Sequence, residues 1–174
     1  EYIIKHSYLR KHCEIDFFGG EPLVNMPVVK HLVEYVRRRE KETGKQFKLT
    51  LTTNGLLLNE ENRKWLNDNN ISLVLSLDGR KEVHDRYRVD YAGKGSWDRI
   101  VPKFQKLVES REGTDKTYYM RGTFTHANPD FMKDIRTMLD LGFTELSMEP
   151  VVTAPYDPTA LTPEDIEIVK QELR

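Results

Sequence analysis

The sequence predicts an α/β fold, a partial parallel (β/α) barrel, and three observations carry that expectation. Short β-like runs alternate with amphipathic helical patterns, the runs themselves alternate polar with apolar side chains, and uncommon residues cluster just after the runs. The runs are Glu14–Phe18, Lys48–Thr53, Leu73–Leu77, Tyr119–Thr125 and Glu145–Val151. Five strands separated by helices imply a parallel sheet joined by right-handed crossovers.

Each helix is marked by its apolar face. Val28, Val29, Leu32, Val33 and Val36 fall on one face of the first long pattern, and Trp65 with Leu66 mark a shorter second one. Ile100, Val101, Phe104, Leu107 and Val108 make the third, and Phe131, Ile135, Met138 and Leu139 the fourth. Glu1–Lys11 reads as the tail of a helix ahead of the first strand. Thr43-Gly44, Asn69-Asn70 and Leu141-Gly142 are stop signals, Asn59 and Asp130 are candidate N-caps, and Thr162-Pro163-Glu164-Asp165 opens a last helix with a capping-box pattern. Arg37-Arg38-Arg39-Glu40-Lys41-Glu42 reads as a solvated helix end whose cations complement the dipole.

The strand faces decide between an open sheet and a barrel. A doubly wound sheet is covered on both sides, so its central strands read as continuous apolar runs. Here Thr50, Thr52 and Asn54 point one way and Leu49, Leu51 and Thr53 the other. Ser76 and Asp78 oppose Leu73, Leu75 and Leu77; Arg121, Thr123 and Thr125 share a face; Glu145, Ser147 and Glu149 oppose Leu146, Met148 and Pro150. Helices on one side and a polar lumen on the other fit a curved arc of a barrel, and five strands do not close a barrel of eight.

Composition bounds the function. Among 174 residues, 27 Lys and Arg against 28 Asp and Glu give a net charge of −1, which argues against a nucleic-acid or membrane grip driven by bulk charge. No apolar run reaches the roughly 18 residues of a membrane span and no signal peptide is visible, so a cytoplasmic setting is expected. One cysteine, Cys13, excludes an internal disulfide and multi-cysteine metal sites; it reads as structural, just before a strand. The chain opens on Glu1 within a helical pattern, as a piece of something longer would.

Ligands of such folds sit at the carboxyl ends of the strands. The residues found there are Gly19-Gly20-Glu21-Pro22, Thr52-Thr53-Asn54-Gly55, Ser76-Leu77-Asp78-Gly79 and Glu149-Pro150. Two adjacent glycines let the backbone approach a ligand, and Pro22 suits the start of a helix. Asn-Gly and Asp-Gly are each common turn pairs, so it is their recurrence after successive strands that points to one shared site. His84-Asp85-Arg86-Tyr87-Arg88 follows, either a solvated helical turn with a local His–Asp pair or a fixed arginine clamp for a carboxylate.

Phe17-Phe-Gly-Gly-Glu-Pro22, Thr52-Thr-Asn-Gly55, and Ser76-Leu-Asp-Gly79 followed by His84-Asp-x-x-Arg88 resemble the core of radical S-adenosylmethionine (SAM) enzymes, in the peptide-modifying branch that carries a SPASM or twitch extension. Glu14–Pro22, Arg121-Gly-Thr-Phe-Thr125 and Met148-Glu-Pro-Val-Val152 are most similar to the maturases of six-cysteine (SCIFF-type) precursor peptides. The resemblance runs from Cys13 to Val152 and implies a truncated TIM-barrel-like core: residues 1–174 would be strands two to six, without the cluster-binding segment and the SPASM region.

The resemblance further implies SAM and a [4Fe–4S] cluster as cofactors, a precursor peptide as partner, and thioether crosslinking through hydrogen abstraction by a 5′-deoxyadenosyl radical. It assigns cofactor contacts to Gly19, Gly20, Glu21 and Pro22 (the methionyl amino group), Ser76 (carboxylate or ribose), Arg88 (carboxylate), Thr52 and Asn54 (lumen), Asp78 (orientation or turn shape) and Val151 (adenine). It names no acid–base catalyst. The family binds its cluster through Cys-x3-Cys-x2-Cys, which this sequence lacks, so the metal ligands lie outside it and these residues alone are expected to be inactive. Two other readings compete: a phosphate- or sugar-binding barrel using Glu21, Asp78 and Glu149 as acid–base groups, and a non-catalytic peptide-binding remnant.

Overall fold

All five strands are parallel and lie in sequential order, which is the arrangement a curling sheet requires and a doubly wound one lacks. The computed structural model describes residues 1–174. β1 (His12–Phe17), β2 (Gln46–Thr53), β3 (Ser72–Ser76), β4 (Tyr118–Phe124) and β5 (Leu146–Pro150) form the arc, a half-barrel. Each lies within two residues of its sequence expectation.

Between them run α2 (Met26–Thr43), α3 (Glu60–Asp68), α5 (Trp97–Glu109) and α6 (Met132–Asp140), with a short α4 (Lys81–Tyr87) after β3 and α7 (Pro163–Glu172) last. The apolar rows of the strands, Phe47, Leu49 and Leu51, then Leu73, Leu75 and Leu77, then Met120, pack against Val33, Leu66, Phe104, Leu107 and Met138 in one core of 21 buried residues. Full burial of each such side chain contributes roughly 1.5–3 kcal/mol, so this layer supplies most of the driving force. The opposite rows follow from the register: Asp16, Thr50 and Ser72 are aligned, as are Thr52 with Val74, Ser76 with Arg121 and Ser147, and Thr123 with Glu149.

Local signals explain most boundaries. The Asn59 side chain caps α3 by accepting from Asn62 N at 2.8 Å, Gly44 ends α2 at φ +68°, and Thr162 with Asp165 forms the full capping box of α7. Pro22 starts a 3₁₀ turn, Pro22–Asn25, that leads into α2.

Four local expectations are corrected. The first helix, α1 (Tyr2–His6), stops well short of Lys11, because Tyr8 adopts φ +44° and turns the chain into β1. Cys13 lies within β1 and not ahead of it. Asp130 does not cap α6, because its carboxylate is drawn to Arg80 at 2.8 Å and to Lys133 at 2.8 Å. Arg37 is not merely solvated: it donates to Glu40, to the carbonyl of Phe47 at 3.1 Å and to that of Asn69 at 3.2 Å.

Arg111 fastens the amino-terminal end of the sheet. It is buried without a carboxylate partner and spends its guanidinium on Asn67 Oδ1 at 2.9 Å, Ile71 O at 2.9 Å and Thr117 O. Burial lowers its pKa to about 10, and it remains charged at neutral pH. Arg111→Met removes every one of those donors and keeps the stem, so denaturant unfolding should show a loss of about 2–4 kcal/mol.

Candidate functional site at the carboxyl ends of the strands

The loop after β1 is shaped by one glycine and one carboxylate. Gly19 takes φ +111°, a conformation that L side chains rarely adopt, and neither Gly19 nor Gly20 has an atom in the way of a Cβ. Their carbonyls accept no hydrogen bond within the chain. Glu21 points toward β2: its carboxylate accepts from Thr53 Oγ1 at 2.9 Å, Asn54 N at 2.7 Å and Leu23 N at 3.1 Å. The acceptors this loop offers to a ligand are therefore backbone carbonyls, because the acid is spent on joining two strand ends. Asn54 bends its own turn by accepting from Leu56 N at 3.0 Å, and the Thr52 and Ser76 hydroxyls are half-buried on the lumen face without a partner.

After β3 the chemistry concentrates on Asp78. Its buried carboxylate receives Arg88 Nε at 2.5 Å and Nη2 at 3.0 Å, and also the N–H and hydroxyl of Thr123, each at 3.0 Å. Arg88 is thus held on one edge, with Nη1 left over. Asp78, Tyr87, Arg88, Thr123, Thr125, Val151 and Thr159 line a cavity of about 310 Å³. Of the ten residues assigned from sequence, Asp78, Arg88 and Val151 meet there; Gly19, Gly20, Glu21 and Pro22 form the loop at the β1 end; Thr52 and Ser76 lie on the strands between, and Asn54 in the turn just after β2.

His84 supports this cluster from beneath. It is fully buried, its Nδ1 accepts from Asp78 N at 3.3 Å, and Nε2 lies 2.9 Å from Ser96 Oγ, whose hydroxyl donates to Arg88 O at 2.9 Å. These contacts assign the neutral tautomer with the proton on Nε2. The local His84–Asp85 pair does not form, because Asp85 faces Lys81 and receives Trp97 N at 2.9 Å.

A second pair of clamps fixes the following turn. Asp134, buried on α6, receives Arg80 Nε at 2.7 Å, Arg80 N at 3.0 Å and Asn128 Nδ2 at 3.1 Å, while Trp97 Nε1 donates to Gly79 O at 2.9 Å. Asp134 and Asp130 hold the Arg80 pKa above its ordinary value, and Arg80 in turn lowers that of Asp130 to about 2. Gly79 is obligatory here: it has φ +94°, and a Cβ would stand 2.3 Å from the Asp134 Cβ.

Two more lumen residues complete the picture, Arg121, which has no sequence assignment, and Glu149, the third carboxylate of the acid–base reading, paired at 2.6 Å on β4 and β5. The i, i+2 alternation of Arg121, Thr123 and Thr125, and that of Glu145, Ser147 and Glu149, are the signals that place them on the lumen face.

The 4Fe-4S single cluster domain model matches residues 1–101, more than half of the chain. The chain belongs to that family, within the radical SAM superfamily. This 4Fe-4S single cluster domain chain is 28% identical over 181 residues to the cysteine-type anaerobic sulfatase-maturating enzyme of Clostridium novyi (strain NT), covering 99% of the chain and 47% of the relative. It is 24% identical over 169 residues to the radical SAM cyclopropyl synthase TigE of Paramaledivibacter caminithermalis, covering 90% and 34%. A solved structure of native anSMEcpe with bound AdoMet and Kp18Cys peptide superposes at TM-score 0.81 and 22% identity, over 98% of this chain and 48% of that one. The chain spans about half the length of the sulfatase-maturating relative, and the superposition bears out the partial-barrel expectation.

One thiolate does not make up the ligand set of a [4Fe–4S] cluster. The single thiol, Cys13, is near the amino-terminal start of β1, away from the strand ends that form the site, and no three His, Cys, Asp or Glu side chains converge.

Two outcomes follow from the Asp78 cluster. Arg88→Met leaves a buried carboxylate with only the Thr123 donors, so denaturant unfolding should report a loss of about 2–3 kcal/mol; the variant is not structurally silent. Burial lowers the His84 pKa to about 4 from 6.5, so the unfolded chain takes up this proton first as pH falls. The stability tied to neutral His84 is complete above pH 6.5 and is lost between there and pH 4, on the order of 3 kcal/mol in all. His84→Asn should flatten that part of the profile when the two melts are compared across pH.

Proposed function

We propose that the protein to which this chain belongs is a radical SAM maturase that modifies a peptide or protein, with SAM and a [4Fe–4S] cluster as cofactors. The observation that carries the reading is the pair of unbonded carbonyls at Gly19 and Gly20, set at one end of an arc of free hydroxyls that leads to the Asp78–Arg88–Val151 cavity. An ammonium needs acceptors, and those carbonyls are acceptors that nothing else in the chain uses. Thr52 and Ser76 supply hydroxyls for the body of the ligand, Arg88 Nη1 is the remaining donor for a carboxylate, and Val151 offers apolar surface to an adenine. SAM bound to a reduced cluster is a source of the 5′-deoxyadenosyl radical; the part played by this chain is to bind, orient and keep water away.

Of the three carboxylates that a phosphate- or sugar-binding barrel would use for acid–base work, Glu21 and Asp78 are each saturated by protein donors and only Glu149 stays accessible, which favours the SAM reading. The finer reading is thioether crosslinking in a cysteine-rich precursor, supported by the resemblance of Glu14–Pro22, Arg121–Thr125 and Met148–Val152 to six-cysteine peptide maturases. A second reading, sulfatase maturation, is favoured by the likeness along 99% of the chain to the Clostridium novyi enzyme.

The intact protein, reconstituted without oxygen and supplied with SAM and a reductant, should release 5′-deoxyadenosine. Mass spectrometry of a six-cysteine precursor peptide should then show two hydrogens lost per crosslink together with loss of free thiol. Conversion of a sulfatase-derived cysteine peptide alone would select the second reading, and release of no 5′-deoxyadenosine with either would refute both.

A further inference from the structure

The arginines at this end of the barrel fall into two kinds. Arg88 and Arg80 each present a fork of two nitrogens to a buried carboxylate and are committed to the fold. Arg121 touches Glu149 through Nη2 alone, and no other atom of its guanidinium has a protein partner. Glu149 is similarly unspent, with one oxygen on Arg121 and the other 3.4 Å from Ser147 Oγ. Both side chains remain accessible, at 39% and 47%, on the face that the barrel curls around.

Such a pair adds little to stability, since accessible ion pairs contribute about 0–1 kcal/mol. Nor does the sheet need it, because the main hydrophobic core lies on the other face. Its position matters more. Arg121, aligned with Ser147, is two residues before the cavity-lining Thr123 and so sits about 7 Å below it, while Glu149 is level with Thr123 and two residues before Val151. It is also three to four strands from the Gly19-Gly20 loop, and neighbouring strands are about 4.8 Å apart. A ligand reaching from that loop to Val151 passes above Arg121 and leaves its contact with Glu149 facing the lumen.

We propose that Arg121 and Glu149 hold the backbone of the peptide substrate, the guanidinium donating to a carbonyl and the carboxylate accepting from an amide N–H. A donor and an acceptor held diagonally, one two-residue step apart on adjacent parallel strands, match the alternating groups of an extended peptide, and a pair of zero net charge does not select for a charged side chain. The inference rests on the peptide-modifying reading above and goes beyond it in naming the residues that read the backbone.

The test uses the intact, cluster-loaded protein with whichever of the two peptides above the wild type converts. Arg121→Gln and Glu149→Gln should each raise KM for that peptide about tenfold with kcat nearly constant, while SAM affinity measured by anaerobic calorimetry stays close to wild type. The exchanged variant, Arg121→Glu with Glu149→Arg, restores the ion pair but swaps donor and acceptor, so peptide KM should remain high. Recovery of wild-type KM in the exchanged variant would reduce the pair to a structural contact and overturn the proposal, as would an unchanged KM in the single variants. Weakened SAM binding in the single variants would place the pair on the cofactor and also overturn it. If the wild type binds SAM but converts neither peptide, the proposal falls together with the peptide reading; if it does not bind SAM, the cofactor assignment has failed first.

Discussion

The Asp78 carboxylate is the interaction on which the site depends. It gathers a guanidinium from the end of α4 and both donors of Thr123 on β4, and its own N–H is taken by a buried neutral imidazole. Buried charge is costly unless every lone pair is engaged, and here the engagement comes from several separate elements. The geometry of the cavity is therefore set by a network that cannot relax one member at a time.

That network explains the glycine in the turn after β3. Gly79 lets the chain after β3 pass against Asp134, and Arg80 then ties the same turn to α6 through two aspartates. Glu21 does the equivalent work between β1 and β2. Carboxylates that in isolation resemble catalytic acids are used as joints, and the groups left for a ligand are backbone carbonyls, hydroxyls and one lumen ion pair. A barrel rim assembled in this way is suited to binding and shielding a reactive cofactor more than to moving protons.

The secondary structure was legible because hydrophobic period and helix punctuation act locally. The five runs, Asn59, Gly44 and the Thr162–Asp165 box all appear where the sequence placed them. The exceptions have tertiary causes: Asp130 gave up its cap for Arg80, a residue 50 positions earlier, and His84 turned inward to meet Ser96 instead of its neighbour Asp85. Ion pairs and buried polar contacts between distant positions leave no periodic trace in a sequence.

The sequence by itself determined the parallel sheet, its two-faced strands and the turns at the strand ends where the candidate site lies, since alternation and turn chemistry depend on residues within a few positions of one another. Only the tertiary structure decided which polar side chains are spent and which are free. Glu21, Asp78 and Arg88 became internal partners while Arg121 and Glu149 stayed open, because a side chain's availability is fixed by the competitors that folding brings within hydrogen-bond reach.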